Sequence, residues 1–261
     1  MEELISLLAS SKVLLGFVAG AIGLCVGSFV NVIVGRVPIM IGAVAGDESL
    51  GLCFPRSRCP ACRHPLAPWD NIPVFSFLAL RGKCRYCSVS ISFQYPAIEC
   101  VTAVAYVVIA AVAGWDPRLP GWCFLATVLI ALSGIDLLHL LLPDRLTLPL
   151  LWAGLLANSV GIYVSPRDAI VGAVCGYLLF ASVGIVSGKI AGREALGMGD
   201  AKLLAALGAW IGYRDIPMIV LLAAMATLVG MLVNKLRGGG TSQLPFGPGL
   251  AIAGMAVALI R

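Results

Sequence analysis

The sequence predicts an all-α polytopic membrane protein of about eight transmembrane helices, with a small zinc-binding domain inserted between the first two. Three observations carry that expectation. Of the 261 residues, 60% are hydrophobic and only 12% charged, where soluble globular chains carry about 25% charge. The mean hydropathy is +0.99. The apolar residues fall into repeated runs, many approaching the ~20 residues that a bilayer crossing needs.

In order, the spans are expected at 11–35, 97–114, 120–138, 146–164, 168–188, 200–213, 216–236 and 246–260. The sixth is short, boxed between Gly197-Met198-Gly199-Asp200 and Arg214-Asp215. It is tilted, partly inserted, or extended by the loop before it. Residues 1–35 then form a first membrane helix, 36–96 a cytoplasmic four-cysteine domain, and 97–261 a membrane-embedded core. The start, Met1-Glu2-Glu3, is acidic and unlike a removable signal peptide.

Lysines and arginines set the orientation. With 36–96 in the cytoplasm, alternation puts thirteen of the eighteen on that side, from Arg36 to Lys235 and Arg237 and including Lys189, Arg193 and Lys202. Lys12, Arg118, Arg167, Arg214 and Arg261 fall opposite. The net charge of +5 therefore serves orientation, and nothing points to nucleic acid. Asp136, Asp144 and Asp200 share the cytoplasmic end.

Within 36–96 stand Cys59-Pro60-Ala61-Cys62 and Cys84-Arg85-Tyr86-Cys87, with 21 residues between the pairs. Two such knuckles can place four thiolates tetrahedrally around zinc. An insertion of that size has too little core to be comfortable alone, and a metal supplies the deficit. Unpaired thiols and redox chemistry are the alternatives, the latter disfavoured by a reducing cytoplasmic face. Cys53 and His64 are not needed; His64 reads as a hydrogen-bonding side chain. Cys25, Cys100, Cys123 and Cys175 fall in apolar spans and read as small core residues.

Carboxylates at a membrane are expensive and mark function by default. Asp136 closes the apolar run from Leu125 to Ile135, and Asp200 stands behind Gly197 and Gly199, which let backbone approach closely. Asp144, in Leu142-Pro143-Asp144-Arg145, reads most simply as a helix cap. Spacing alone leaves three readings of Asp136 and Asp200 level: an aspartyl protease dyad, a proton relay in a transporter, or a structural polar pair. In the first, two close carboxyls share one proton, one activating water while the other protonates the scissile carbonyl.

An ordered set of motifs separates these readings. It comprises Gly27-Ser28-Phe29-Val30-Asn31-Val32 with Arg36-Val37-Pro38, the two knuckles, and Pro68-Trp69-Asp70-Asn71-Ile72-Pro73 between them. Ile135-Asp136, Leu142-Pro143-Asp144, Gly197-Met198-Gly199-Asp200-Ala201-Lys202 and Pro245-Phe246-Gly247-Pro248 follow. Nearly end to end, the chain resembles the type IV prepilin peptidase family (leader peptidase/N-methyltransferase), which belongs with the GxGD membrane aspartyl proteases.

The resemblance implies that Asp136 and Asp200 are catalytic, supported by Gly197, Gly199, Asp144 and Lys202, and that Cys59, Cys62, Cys84 and Cys87 hold structural zinc. It implies cleavage of the basic leader from type IV prepilins, or from type II secretion pseudopilins, at the cytoplasmic face of the bacterial inner membrane. It further implies methylation of the new amino terminus, usually phenylalanine, with S-adenosylmethionine.

No soluble-type glycine-rich loop for that donor is visible; Trp69, Asn71 and Gly82 are candidates, against packing or turn roles for each. Arg36 is a candidate for a headgroup anchor or a substrate contact. Pro245–Pro248 either lines the substrate cleft or stiffens a helix entry. The alternatives are a peptidase without methyltransferase activity, a proton-coupled transporter, for which no repeat is found, and a thiol–quinone oxidoreductase, which would not need the aspartates. Oligomeric state is not read from the sequence.

Overall fold

The computed structural model describes residues 9–46, 50–191, 197–236 and 245–260. Met1–Glu3, Arg193, Arg237 and Arg261, used above for targeting and orientation, lie outside them. Among the described residues every regular element is helical. The helices are α1 (Lys12–Met40), α2 (Phe75–Ala79), α3 (Gln94–Ala113), α4 (Leu119–His139), α5 (Asp144–Ser159), α6 (Pro166–Ala191), α7 (Met198–Ile211), α8 (Ile216–Leu236) and α9 (Gly247–Ile260).

Five helical segments are long and apolar enough to cross a membrane: α1, α3, α4, most of α6, and α8 with the turn before it. The expected spans at 146–164, 200–213 and 246–260 are present as α5, α7 and α9, but with 16, 14 and 14 residues they fall short of that length. A 14-residue helix rises about 21 Å, less than the ~30 Å of a bilayer's hydrocarbon. α5 stops early because Asn158 Oδ1 accepts the N–H groups of Tyr163 and Val164, at 2.9 and 3.0 Å, closing a turn around Gly161.

The chain divides into two compact units, 1–131 and 132–261. In the first, α1 and α3 pack along their lengths. A Cβ added at Gly23 would lie 2.7 Å from Ala103 Cα, and one at Gly27 the same distance from Glu99 Cα. That is the close approach of backbones that small residues allow between membrane helices. Ser11 caps α1 by accepting the Leu14 N–H. Tyr106 Oη and Thr127 Oγ1 share a 2.8 Å hydrogen bond.

In the second unit α7 is the core. Every residue from Leu203 to Ile211 is buried. At Gly208 and Gly172, α7 and α6 meet backbone to backbone, and neither position has room for a Cβ. Trp210 Nε1 donates to the Leu150 carbonyl of α5 at 2.9 Å, over Gly154. Asn158 Nδ2 donates to the Ala209 carbonyl at 2.8 Å. Leu207 fills the space beside Gly254 of α9. A short helix enclosed in this way needs no outward face, which explains its brevity.

Candidate active site and cysteine centre

Asp136 lies one turn from the end of α4 and is only 5% exposed. Its Oδ2 accepts the N–H of Gly247, the first residue of α9, at 2.9 Å. Gly247 is required by space: a Cβ there would lie 2.7 Å from the same oxygen. α4 ends just beyond, where Leu140 takes φ +52° and donates to the Asp136 carbonyl.

Asp200 occupies the first turn of α7, half-buried, its N–H bonded to the Gly197 carbonyl at 3.1 Å. The two glycines before it differ in role. Gly199 packs against Leu142, which would meet an added Cβ at 2.8 Å, whereas Gly197 is exposed. Leu142 also reaches Gly247, so α7, α9 and the 140–143 turn converge on one side chain. Asp136 lies within electrostatic reach of Asp200. Phe246 packs on Phe180, ring centroids 5.8 Å apart.

Asp144 is not the helix cap expected of it. Pro143 holds the cap position and no side chain caps the helix. The Asp144 carboxylate instead takes Lys202 Nζ at 2.6 and 2.8 Å, joining the first turns of α5 and α7. Asp144 still sits where a negative charge suits a helix start.

In the first unit the four cysteine sulfurs, Cys59, Cys62, Cys84 and Cys87, lie within 4.8 Å of one another. Cys59 Sγ and Cys87 Sγ are 3.8 Å apart, the edge of a tetrahedron with zinc–sulfur bonds of about 2.3 Å. The cluster could thus hold zinc. Both knuckles fold alike: Cys59 N–H bonds to the His64 carbonyl and Cys84 N–H to that of Val89, while Arg63 and Ser88 take φ +58° and +57°. The backbone N–H of Cys62 holds the Cys59 thiol down at about 7, toward the thiolate that binds metal.

Two side-chain pairs brace the knuckles. Asp70 accepts from Arg85 at 2.6 Å, which raises the arginine's already high pKa. His64 stacks on Tyr86, centroids 3.6 Å apart, rather than hydrogen-bonding through its ring as expected. Cys53 stands outside the cluster. Cys25, Cys100 and Cys175 are exposed and Cys123 is partly so, which corrects their assignment to the core. In a bilayer the outer face of a helix is as apolar as the inner, so hydrophobicity does not tell the two apart. Arg36 donates to the carbonyls of Gly51 and Pro55, at 2.7 and 2.8 Å, and so ties down the loop after α1.

Beside the cysteine cluster this unit holds a partly open cavity of about 600 Å³. Asn71 lines it, but Trp69 and Gly82 do not. Gly82 is a turn at φ +68°, over Phe77. The buried Glu99 also lines the cavity, accepting the Val74 N–H at 2.7 Å and so holding α3 to the start of α2. Sequence reasoning passed over Glu99. A lone acid inside the apolar run 97–114 was the signal, by the rule that singled out Asp136.

The family models divide the chain at nearly the same place. The Bacterial Peptidase A24 N-terminal domain matches residues 21–113, and the Type IV leader peptidase family matches 123–232. The chain belongs to the type IV leader peptidase family. Its relatives include proteins named prepilin leader peptidase/N-methyltransferase. That of Pectobacterium carotovorum subsp. carotovorum is 45% identical, covering 90% of each chain. That of Aeromonas salmonicida (strain A449) is 43% identical over 88% of this chain and 86% of its own. That of Stutzerimonas stutzeri is 40% identical over 98% and 94%. No solved structure matches. Family membership makes the chain an enzyme, a membrane peptidase, and both aspartates fall in the peptidase-matched segment.

Proposed function

We propose that this enzyme cleaves the leader from type IV prepilins or type II secretion pseudopilins, with Asp136 and Asp200 as the catalytic dyad. The observation that carries the reading is that Asp136, bonded to Gly247, lies within electrostatic reach of Asp200, whose neighbour Gly199 packs on the Leu142 that also reaches Gly247. Two acids so placed share one proton. The ionised carboxylate takes a proton from water as the water attacks the scissile carbonyl, and the protonated partner donates to the carbonyl oxygen. Gly197 is exposed and leaves the backbone before Asp200 free of a side chain, where an extended substrate strand could lie, while Gly199 seats Leu142. The Asp144–Lys202 pair fixes the start of α7 that carries Asp200.

The proposed setting is the bacterial inner membrane, holding about eight helices, of which five are long enough to cross it unaided. Residues 1–35 supply the first, 36–96 a cytoplasmic zinc domain and 97–261 the protease core. The excess of Lys and Arg on the loops sharing a side with 36–96 supports that orientation. The sulfur spacing supports structural zinc on Cys59, Cys62, Cys84 and Cys87. One cluster of four sulfurs, rather than two separate pairs, also speaks against a thiol–quinone oxidoreductase.

We further propose N-methylation of the new pilin amino terminus, following the relatives' name. S-adenosylmethionine would supply an electrophilic methyl group on a sulfonium sulfur. The cavity of the first unit, with the aromatic rings of Tyr86 and Tyr95 along its wall, suits a cationic donor. Purified enzyme given a prepilin and the donor tests both activities by mass spectrometry. Loss of the leader with gain of one methyl is expected; an intact prepilin contradicts the peptidase reading, and a cut but unmethylated product the second activity.

A further inference from the structure

Asn31 and Glu99 line the first unit's cavity, each 7% exposed, and take no part in the cleavage chemistry. Asn31 Nδ2 donates to the carbonyls of Gly27 and Tyr95, at 3.3 and 3.0 Å. Only the nitrogen of the amide can face two carbonyl oxygens, so the orientation is fixed and Oδ1 is the free atom. That buried oxygen has no donor, a costly state.

Glu99 accepts from the Val74 N–H and the Ser28 hydroxyl, which leaves a carboxylate's further lone pairs over. The two residues stand where α1 meets α3. Gly27 abuts the Glu99 backbone, and Asn31 bonds to Tyr95, one turn before Glu99. Three arginines line the cavity. Arg36 is spent on two carbonyls and Arg85 on Asp70, while Arg58 is exposed beside Cys59. Glu99 has no basic partner among its hydrogen bonds.

We propose that Glu99 and Asn31 seat a primary ammonium, the freshly cut pilin amino terminus, and that this cavity is the methyl-transfer site. The proposal rests on the methyltransferase reading above. An ammonium brings three N–H donors and a positive charge, matching the unpartnered carbonyl oxygen and the buried carboxylate. The carboxylate is also placed to accept a proton from it, leaving the electron pair on nitrogen free to form the N–CH3 bond as the donor's S–CH3 bond would break, its electrons returning to sulfur and S-adenosylhomocysteine leaving. Glu99 is then a catalytic residue of that second reaction. The donor's own amino group offers the same chemistry, so the test separates the two.

Calorimetric titration of detergent-solubilised wild type and Glu99→Gln would use three probes. They are a leaderless pilin peptide with a free amino terminus, the same peptide acetylated, and S-adenosylhomocysteine. Glu99→Gln should weaken the free peptide about 30-fold or more, as losing one partner of a desolvated charged contact does. Acetylation should cost the wild type as much and cost the variant nothing further. S-adenosylhomocysteine should bind both proteins alike.

Equal binding of free and acetylated peptide to the wild type would overturn the seat without reference to any variant. So would a variant that loses S-adenosylhomocysteine while keeping the peptide, which would give the seat to the donor. Wild type that methylates while Glu99→Gln binds the free peptide unchanged removes the seat alone. Wild type that binds both probes yet transfers no methyl group removes the methyltransferase reading itself.

Discussion

The Gly247 N–H donates to Asp136 Oδ2 at 2.9 Å, across 111 positions of sequence. The carboxylate at the end of α4 is thereby aimed by the first residue of α9. A short contact to backbone fixes one oxygen, and it joins the Pro245–Pro248 segment to the candidate site, beyond the stiff helix entry expected of it.

Gly247→Ala should show this directly. The added Cβ, 2.7 Å from Oδ2, must push the carboxylate aside, and displacements near 1 Å cost about 100-fold in rate. Cleavage of a prepilin, followed on gels, should fall by that order while the variant still folds. Wild-type cleavage would deny Gly247 its positioning role.

The Asp144–Lys202 pair is half-exposed, so its worth to stability is below about 1 kcal/mol. Its effect should instead be on rate. Lys202→Met and Asp144→Asn should each slow cleavage by about tenfold or less, and the double variant no more than either alone. Additive losses would mean the two residues act separately.

α6 and α7 touch through glycine backbones, so Gly208→Leu should lower the thermal midpoint, overpacking costing about 1–3 kcal/mol. Because α7 carries Asp200, cleavage should fall with it. An unchanged midpoint would contradict the packing described.

Metal analysis of folded protein should find zinc at about one equivalent per chain, and Cys59→Ser should lose most of it. Thiolate is the ligand, and the free Cys59 thiol sits at about 7. The Cys87 thiol is pushed up to about 11, so zinc uptake by stripped protein should weaken steadily as pH falls through the range between the two, where protons compete. Full uptake by the serine variant would exclude the site.

Much of this was legible in the sequence, and the gaps have physical causes. Long apolar runs place α1, α3, α4, α6 and α8 within a few residues, because hydrocarbon thickness dictates length. α7 reads as a span by composition, yet its apolarity serves burial inside protein. Cysteine spacing is local and predicts the cluster; Cys25, Cys100 and Cys175 mislead because a lipid-facing side is also apolar. Asp144 resembles a cap by position alone, since its partner Lys202 lies 58 residues away. Arg36 and Glu99 find their partners only once the loop after α1 and the helix α2 are folded back on them.

The dyad is tested most directly by giving purified Asp136→Asn and Asp200→Asn enzyme a prepilin and following leader release by mass spectrometry. Each variant should fold, keep its zinc and leave the prepilin uncut. Cleavage at the wild-type rate by either one would contradict the assignment of Asp136 and Asp200 as the residues that cut.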